Sequence, residues 1–398
     1  MRGVRSPRCS AMTDLLRQEI ATAATTIVVK VGTRVLTRSD GKLDQNQIFQ
    51  LAEQLHKVAD SGRKVVLVSS GAVGAGMGRL ELEQRPADLA NLQAVAAVGQ
   101  TALVEAYELA FRKHRRHAAQ ILLTAEELEN RAQYLNVRNT IHTLFDYDVI
   151  PIINENDAVS VDELQTTFGD NDRLAAIVTN LLRAPLLVLL SDVEGLYDRD
   201  PDDQKAKVVP TVSKLTESTF CLIQDKGGGI GKGGMASKLE AARLATATGE
   251  NVIIASGRSK NVLTRIIGSE LVGTLFLAQG QMLNSRKRWI GFNVPPRGQI
   301  ILDSGARKAV EKSGRSLLPI GVIEVRGDFE KGDVVAIQDA GNIEFARGLT
   351  NYRAADVQKI KGLQTNKIAD ALGHCPYDEV VHRSNLVLTS RSEDPGVE

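Results

Sequence analysis

Short apolar runs that end in glycine or small polar residues recur along this chain, separated by stretches of helical spacing. Thr25–Val31, Lys64–Val68, Ala119–Leu123, Val149–Ile153, Leu186–Leu190 and Val252–Ala255 are rich in Val, Ile, Leu and Ala with little polar interruption. A strand that is apolar on both sides must be covered on both faces, and that is the habit of parallel sheets in α/β proteins. Between the strands, Gln47–Ala59 places Ile48, Leu51, Leu55 and Val58 on one helical stripe. Ala87–Lys113, Leu174–Leu182 and Ser237–Thr248 read as further helices. The expected fold is therefore α/β, a mainly parallel sheet sandwiched by helices. Ligands of such sheets bind beyond the carboxyl ends of the strands. Gly32-Thr33, Ser70-Gly71, Asn154–Asp157 and Ser191-Asp192 fall at those ends.

The texture changes after about Leu277. Residues 281–296, with the single Trp and a Pro-Pro pair, read as a linker, and beyond them short strands such as Gly321–Val325, Gly332–Ile337 and Glu344–Gly348 alternate with glycine turns. The expected division is an extension over 1–24 without fixed structure, an α/β domain over 25–280, the linker, a small mostly-β domain over 297–375 and a polar tail over 376–398. A length of 398 residues accommodates two such cores.

Composition excludes several classes. Lys plus Arg number 49 against 48 Asp plus Glu, so no global charge calls for nucleic acid or an anionic membrane. No apolar run approaches the ~20 residues of a membrane span. Cys9, Cys221 and Cys375 are widely spaced, which suits a reducing cytoplasm better than disulfides or structural zinc. The arginine-bearing N-terminus lacks the apolar stretch of a secretory signal.

Three features carry chemistry. Gly227–Lys238 (GGGIGKGGMASK) is a glycine-rich loop opening onto a helix with Leu239, Ala242 and Ala245 on one face. Backbone N–H groups in such a loop, aided by the helix dipole, can close on phosphate oxygens. It is not a Walker A loop, since Gly233 follows Lys232 where Ser or Thr is needed. Lys30 lies inside an otherwise apolar strand, where an ammonium needs either an ion pair or a ligand to offset its desolvation. Gly169-Asp170-Asn171-Asp172 precedes a helix. One of these residues could be a cap, but the run exceeds what a cap requires, and with Asp157 and Asp192 it suits phosphate-bound Mg²⁺. No HExxH or GxSxG pattern points to zinc or serine hydrolysis.

Val29–Thr33 (VKVGT), Ser69–Ala72, Ile153–Val159 (INENDAV), Gly169–Asp172 and Gly231–Lys238 together resemble the amino acid kinase superfamily and, within it, the glutamate 5-kinase family. The likeness runs from about Thr25 to Phe276 and continues through Asn284–Ile290 into a segment resembling a PUA domain. It implies ATP-dependent phosphorylation of the γ-carboxylate of L-glutamate, the first step of proline biosynthesis. It implies ATP contacts at Lys30, Ser191, Asp192 and Lys232-Gly233-Gly234-Met235-Ala236-Ser237-Lys238, and glutamate contacts at Ser70, Asp157 and Asn171. Lys30 and Lys238 would support the transferring phosphoryl group. Asp170 and Asp172 would organise the lysines, hold Mg²⁺ through water or touch substrate, and the metal ligands stay open. The kinship also implies a dimer or tetramer and a separate glutamyl phosphate reductase downstream. Ser191 stands where the family often has Thr, and Thr167 where some relatives have a basic residue. Two rivals remain: a superfamily kinase with another acceptor, and RNA binding through the C-terminal domain. Residues 297–367 hold 12 Lys plus Arg against 9 Asp plus Glu, a weak footprint for nucleic acid.

Overall fold

A computed structural model describes residues 14–159, 170–216, 219–220, 222, 234–279, 285–374 and 376–389. The chain divides into two units, Met1–Glu127 with Ala132–Met282, and Leu128–Arg131 with Leu283–Glu398.

In the first unit the apolar runs become strands: β1 (Thr26–Val31), β2 (Lys64–Ser69), β3 (His117–Leu123), β4 (Val149–Glu155), β5 (Leu186–Ser191) and β7 (Asn251–Ser256). Two short strands, β6 (Thr211–Val212) and β8 (Thr274–Phe276), extend the sheet. Among the described residues it has eight strands in the order β3-β4-β2-β1-β5-β7-β8-β6, all parallel to their neighbours except β8 against β7. β5 is buried along its whole length, and each fully buried Leu or Val contributes about 1.5–3 kcal/mol. The chain leaves β1 toward β2 on one side and later returns to β5 on the other, so the order reverses between β1 and β5. A crevice opens at such a reversal.

Helices cover the sheet. Gln45–Asp60 starts where the Asp44 carboxylate accepts from the Gln47 N–H, and it buries Ile48, Leu51, Leu55 and Val58. Leu89–Arg112 begins at an Asp88 cap and lies against Ala72–Arg79. That contact is so close that a Cβ on Gly99 would fall 1.8 Å from the Ala72 carbonyl oxygen, and one on Gly76 would fall 1.9 Å from that of Val95. Asp170–Leu182 and Met235–Ala247 pack together.

The second unit is a five-stranded sheet of order β10-β9-β11-β12-β13, antiparallel apart from the β9/β11 pair. Its strands are β9 (Gly298–Leu302), β10 (Val322–Gly327), β11 (Val334–Gln338), β12 (Glu344–Thr350) and β13 (Val381–Leu388). Ile300, Val335, Ile337, Phe345, Val357 and Ile360 centre its core.

Three stretches differ from the sequence-based expectation. Residues 15–23 of the presumed extension form a helix, with Asp14 as cap. Arg17 within it is buried and donates to the carbonyls of Val272, Pro210 and Gly273. In the expected linker, Ser285–Arg288 and Trp289–Asn293 are helical, and Trp289, Ile290 and Gly291 are buried. The basic run Arg286-Lys287-Arg288 hides this apolar turn from a composition-based reading. The expected tail holds β13, which completes the second sheet and buries Val381, Leu386 and Val387. Its polar middle, His382–Asn385, obscured it.

Candidate active site

Lys30 is the fifth residue of β1, a strand made almost entirely of β-branched side chains, so its ammonium is largely withdrawn from solvent. The compensating charge is Asp172, in the first turn of the helix Asp170–Leu182. Lys30 Nζ lies 2.5 Å from Asp172 Oδ1. Lys238, in the first turn of Met235–Ala247, reaches the same carboxylate from the other helix, with Nζ 3.2 Å from Oδ2. The Ser237 hydroxyl also donates to Oδ2, at 2.8 Å. All four side chains are nine-tenths buried or more. One carboxylate thus serves two ammonium groups, and the cluster keeps a surplus positive charge at the carboxyl end of β1.

Burial alone would raise the Asp172 pKa, but Lys30 and Lys238 outweigh it and hold the carboxyl below its ordinary value. Burial lowers the Lys238 pKa, Asp172 opposes this, and the neighbouring Lys30 adds to the lowering.

A second network lies on the β2/β4 side. β2 runs into Ser69-Ser70-Gly71, and Gly71 caps the helix Ala72–Arg79 at a φ of 107°, a conformation that favours glycine. Asn171 Nδ2 donates to Ser70 Oγ at 2.9 Å and to Asn154 Oδ1 at 3.0 Å. Asn154 Nδ2 in turn donates to Gln100 Oε1 at 2.8 Å. Ser69 Oγ is 3.2 Å from the hydroxyl of Tyr107, whose pKa burial pushes up, so that phenol stays protonated. Asp157 is buried just past the end of β4.

At the end of β5, Ser191 Oγ donates to Asp192 Oδ1 at 2.9 Å, and Arg34 Nη1 lies 3.0 Å from Asp192 Oδ2. Burial would raise the Asp192 pKa, but these two bonds lower it overall.

The structure therefore unites Lys30, Asp172, Ser237 and Lys238 in one cluster, Ser70 and Asn171 in a second, and Ser191 with Asp192 at the next strand end. Gly234 caps the Met235–Ala247 helix, and its carbonyl accepts from Ser237 Oγ at 3.1 Å. Met235 and Ala236 form that helix's first turn. Asp170 opens its own helix, but its side chain, like Lys232 and Gly233, lies outside the described residues. Sequence reasoning missed Arg34, Gln100 and the structural use of Asn154. Asn154 stood within the quoted INENDAV run, and Gln100 is a polar residue on the apolar side of its helix, a signal that was available.

The amino acid kinase family profile matches residues 25–256, and the PUA domain profile matches 298–372. Glutamate 5-kinase of Rhodopirellula baltica is 48% identical over 373 residues, covering 94% of this chain and 96% of that protein. The chain belongs to the amino acid kinase family, among the glutamate 5-kinases. Glutamate 5-kinase of Thermoanaerobacter sp. is 45% identical over 371 residues, covering 93% of this chain and 99% of that one. That of Nitrosospira multiformis is 47% identical over 363 residues, at 91% and 97% coverage.

The described residues of this glutamate 5-kinase family member do not supply a dedicated magnesium site. No three His, Cys, Asp or Glu groups among them converge to hold an ion. Asp172 is committed to two ammonium groups and a hydroxyl, and Asp192 to Arg34 and Ser191.

Proposed function

We propose that this protein transfers the γ-phosphoryl group of ATP to the side-chain carboxylate of L-glutamate, giving ADP and L-glutamyl 5-phosphate and opening proline biosynthesis. The observation that carries the reading is the sharing of Asp172 by Lys30 and Lys238, taken with relatives of that name aligned along nearly the whole chain.

A glutamate γ-carboxylate is ionised at neutral pH, having a pKa of about 4.3, so it attacks without a general base. Its oxygen forms a bond to the γ-phosphorus as the bond to the β,γ-bridging oxygen breaks, and ADP leaves with that electron pair. No proton need move. The obstacle is the approach of two anions, and preorganised cations lower it. Lys30 and Lys238 supply that charge from β1 and from the Met235–Ala247 helix. Asp172 fixes both ammonium tips while leaving them jointly cationic, which makes it a positioning residue.

Nucleotide contacts are assigned to Lys30, Ser191, Asp192 and the described Gly234–Lys238 turn, continuing into Lys232 and Gly233. Ser70, Asp157 and Asn171 are assigned to glutamate. Ser70 Oγ accepts from Asn171, so its own proton is directed elsewhere, toward an acceptor such as a substrate carboxylate. Asp157 suits the α-ammonium. Mg²⁺ belongs to the same proposal as a companion of the ATP phosphates. So do a cytoplasmic setting, a homo-oligomer, and delivery of the acyl phosphate to a separate reductase. No helix among the described residues is long and apolar enough to cross a membrane.

Coupled ADP release with L-glutamate, N-acetylglutamate, aspartate and UMP as acceptors tests the reading. Turnover confined to glutamate is expected. Preference for another acceptor would keep the phosphotransferase and remove the substrate.

A further inference from the structure

Asp192 poses an electrostatic problem. It stands at the end of β5, beside the β1/β5 reversal, where the proposed reaction brings in a highly charged triphosphate. A bare carboxylate there would repel the nucleotide and compete for the lysines. Its charge does reach Lys238, whose ammonium form it favours.

Arg34 answers that problem. It comes from the short helix Thr33–Leu36 immediately after β1, and its guanidinium crosses the reversal to meet Asp192 Oδ2 at 3.0 Å. The backbone beneath it is fastened from several directions. Arg258 Nη2 donates to the carbonyls of Arg34 at 2.8 Å and Thr37 at 2.7 Å. Gly32 N–H donates to Leu190 O at 3.1 Å, and the Leu36 carbonyl accepts from the Asp44 N–H at 2.7 Å. The Arg34 side chain itself is 80% exposed. An ion pair so open to solvent contributes little to folding. Here a well-anchored backbone aims a nearly free guanidinium at a single carboxylate beside the crevice. Ser191 holds the other oxygen, so the carboxylate is fixed in orientation as well as neutralised.

We propose that Arg34 is a positioning residue for the nucleotide and acts through Asp192. It cancels and orients that carboxylate, which then accepts from neutral donors of the nucleotide, such as a ribose hydroxyl, without repelling its phosphates. This rests on the phosphotransfer reading given above.

The test uses the full chain as wild type, Arg34→Gln and Arg34→Lys, at low and raised salt. ADP binding is followed by titration calorimetry, and the KM values for ATP and glutamate are measured separately. Arg34→Gln should weaken ADP binding and raise KM for ATP by about threefold or more, the scale of an exposed ion pair. KM for glutamate and the melting temperature should not move. Lysine should restore most of the loss, and the gap between wild type and the glutamine variant should narrow as salt shortens the Debye length. Unchanged ADP affinity in Arg34→Gln overturns the proposal, as does a fall in melting temperature that accompanies equal changes in both KM values. Arg34-dependent ADP binding in a protein that does not phosphorylate glutamate would uphold the role of Arg34 and refute the acceptor assignment alone.

Discussion

Lys30 Nζ and Asp172 Oδ1 lie 2.5 Å apart where water barely reaches, with the lysine side chain 7% and the aspartate 1% exposed. Removing one member of a buried pair costs more than the pair contributes, because its partner is left charged and unsolvated. Asp172 is partner to two such cations. Asp172→Asn should therefore lower stability by about 3–5 kcal/mol and abolish turnover. Urea denaturation checks the first, and a stability within experimental error of wild type would refute the account of the cluster.

Neutralising either cation has the opposite balance. Lys30→Met or Lys238→Met leaves Asp172 with one ammonium partner, so stability should fall less than in Asp172→Asn. Turnover should nonetheless drop by a factor that corresponds to about 3 kcal/mol or more, the cost of losing one preorganised charge at a transferring phosphoryl group. Comparison of kcat with melting temperature across the three variants separates the roles. Lys238→Met with kcat within a few-fold of wild type would remove that lysine from the chemistry.

The pH dependences follow from the directions of the shifts. Asp172 has a folded pKa below its ordinary 3.8. Its contribution is complete above that value and disappears as pH falls through the lower folded pKa. The acid limb of the wild-type melting curve should thus be steeper below pH 3.8 than that of Asp172→Asn. Lys238 has a folded pKa below its ordinary 10.5, so its ammonium is lost early as pH rises. Activity should decline on an alkaline limb that lies below the usual lysine range, while folding stability gains through the same window because the unfolded chain holds that proton longer. A pH–rate profile flat to pH 10.5 would contradict this.

On the β2 side, Ser70→Ala removes the acceptor for Asn171 and a hydroxyl assigned to glutamate. KM for glutamate should rise about tenfold, the scale of one hydrogen bond to a charged group, with KM for ATP nearly unchanged. Equal rises in both would mean that the loop serves the fold rather than one substrate.

Gly99 has no room for a methyl group, since the obstruction 1.8 Å from its virtual Cβ is the Ala72 backbone oxygen. Gly99→Ala should cost about 3 kcal/mol, at the upper end for overpacking, because backbone cannot swing aside as a side chain can. Chemical denaturation checks it, and a loss under about 0.5 kcal/mol would show that the helices separate freely.

The parallel sheet was legible because β1, β2, β5 and β7 are buried over most of their length, leaving continuous apolar runs that need no knowledge of partners. β6 and β8 were not, having two and three residues. The helix Ala72–Arg79 contains Gly74, Gly76 and Gly78, which argue locally against a helix. Tertiary packing prevails there because Gly76 allows the close approach of Leu89–Arg112, and Gly74 that of the Gly41 carbonyl. In the site, Lys30 was conspicuous as a charge inside an apolar strand, and Asp172 stood among the candidates. Their pairing came only through the family resemblance, which offered Asp170 and Asp172 as organisers of the lysines, since nothing local links β1 to a helix so far along the chain. Arg34 escaped because an exposed arginine just past Gly32-Thr33 looks ordinary until the fold brings the end of β5 beside it.

The joint positive charge at the end of β1 comes from Lys30, Asp172 and Lys238, so it does not exist in any intermediate that lacks the helix Met235–Ala247. Before that helix docks, Lys30 and Asp172 cancel, and such a species offers a polyanion little attraction. Nucleotide would then reward only molecules that have finished assembling this unit, acting in the cell as a selective preservative for correctly completed chains.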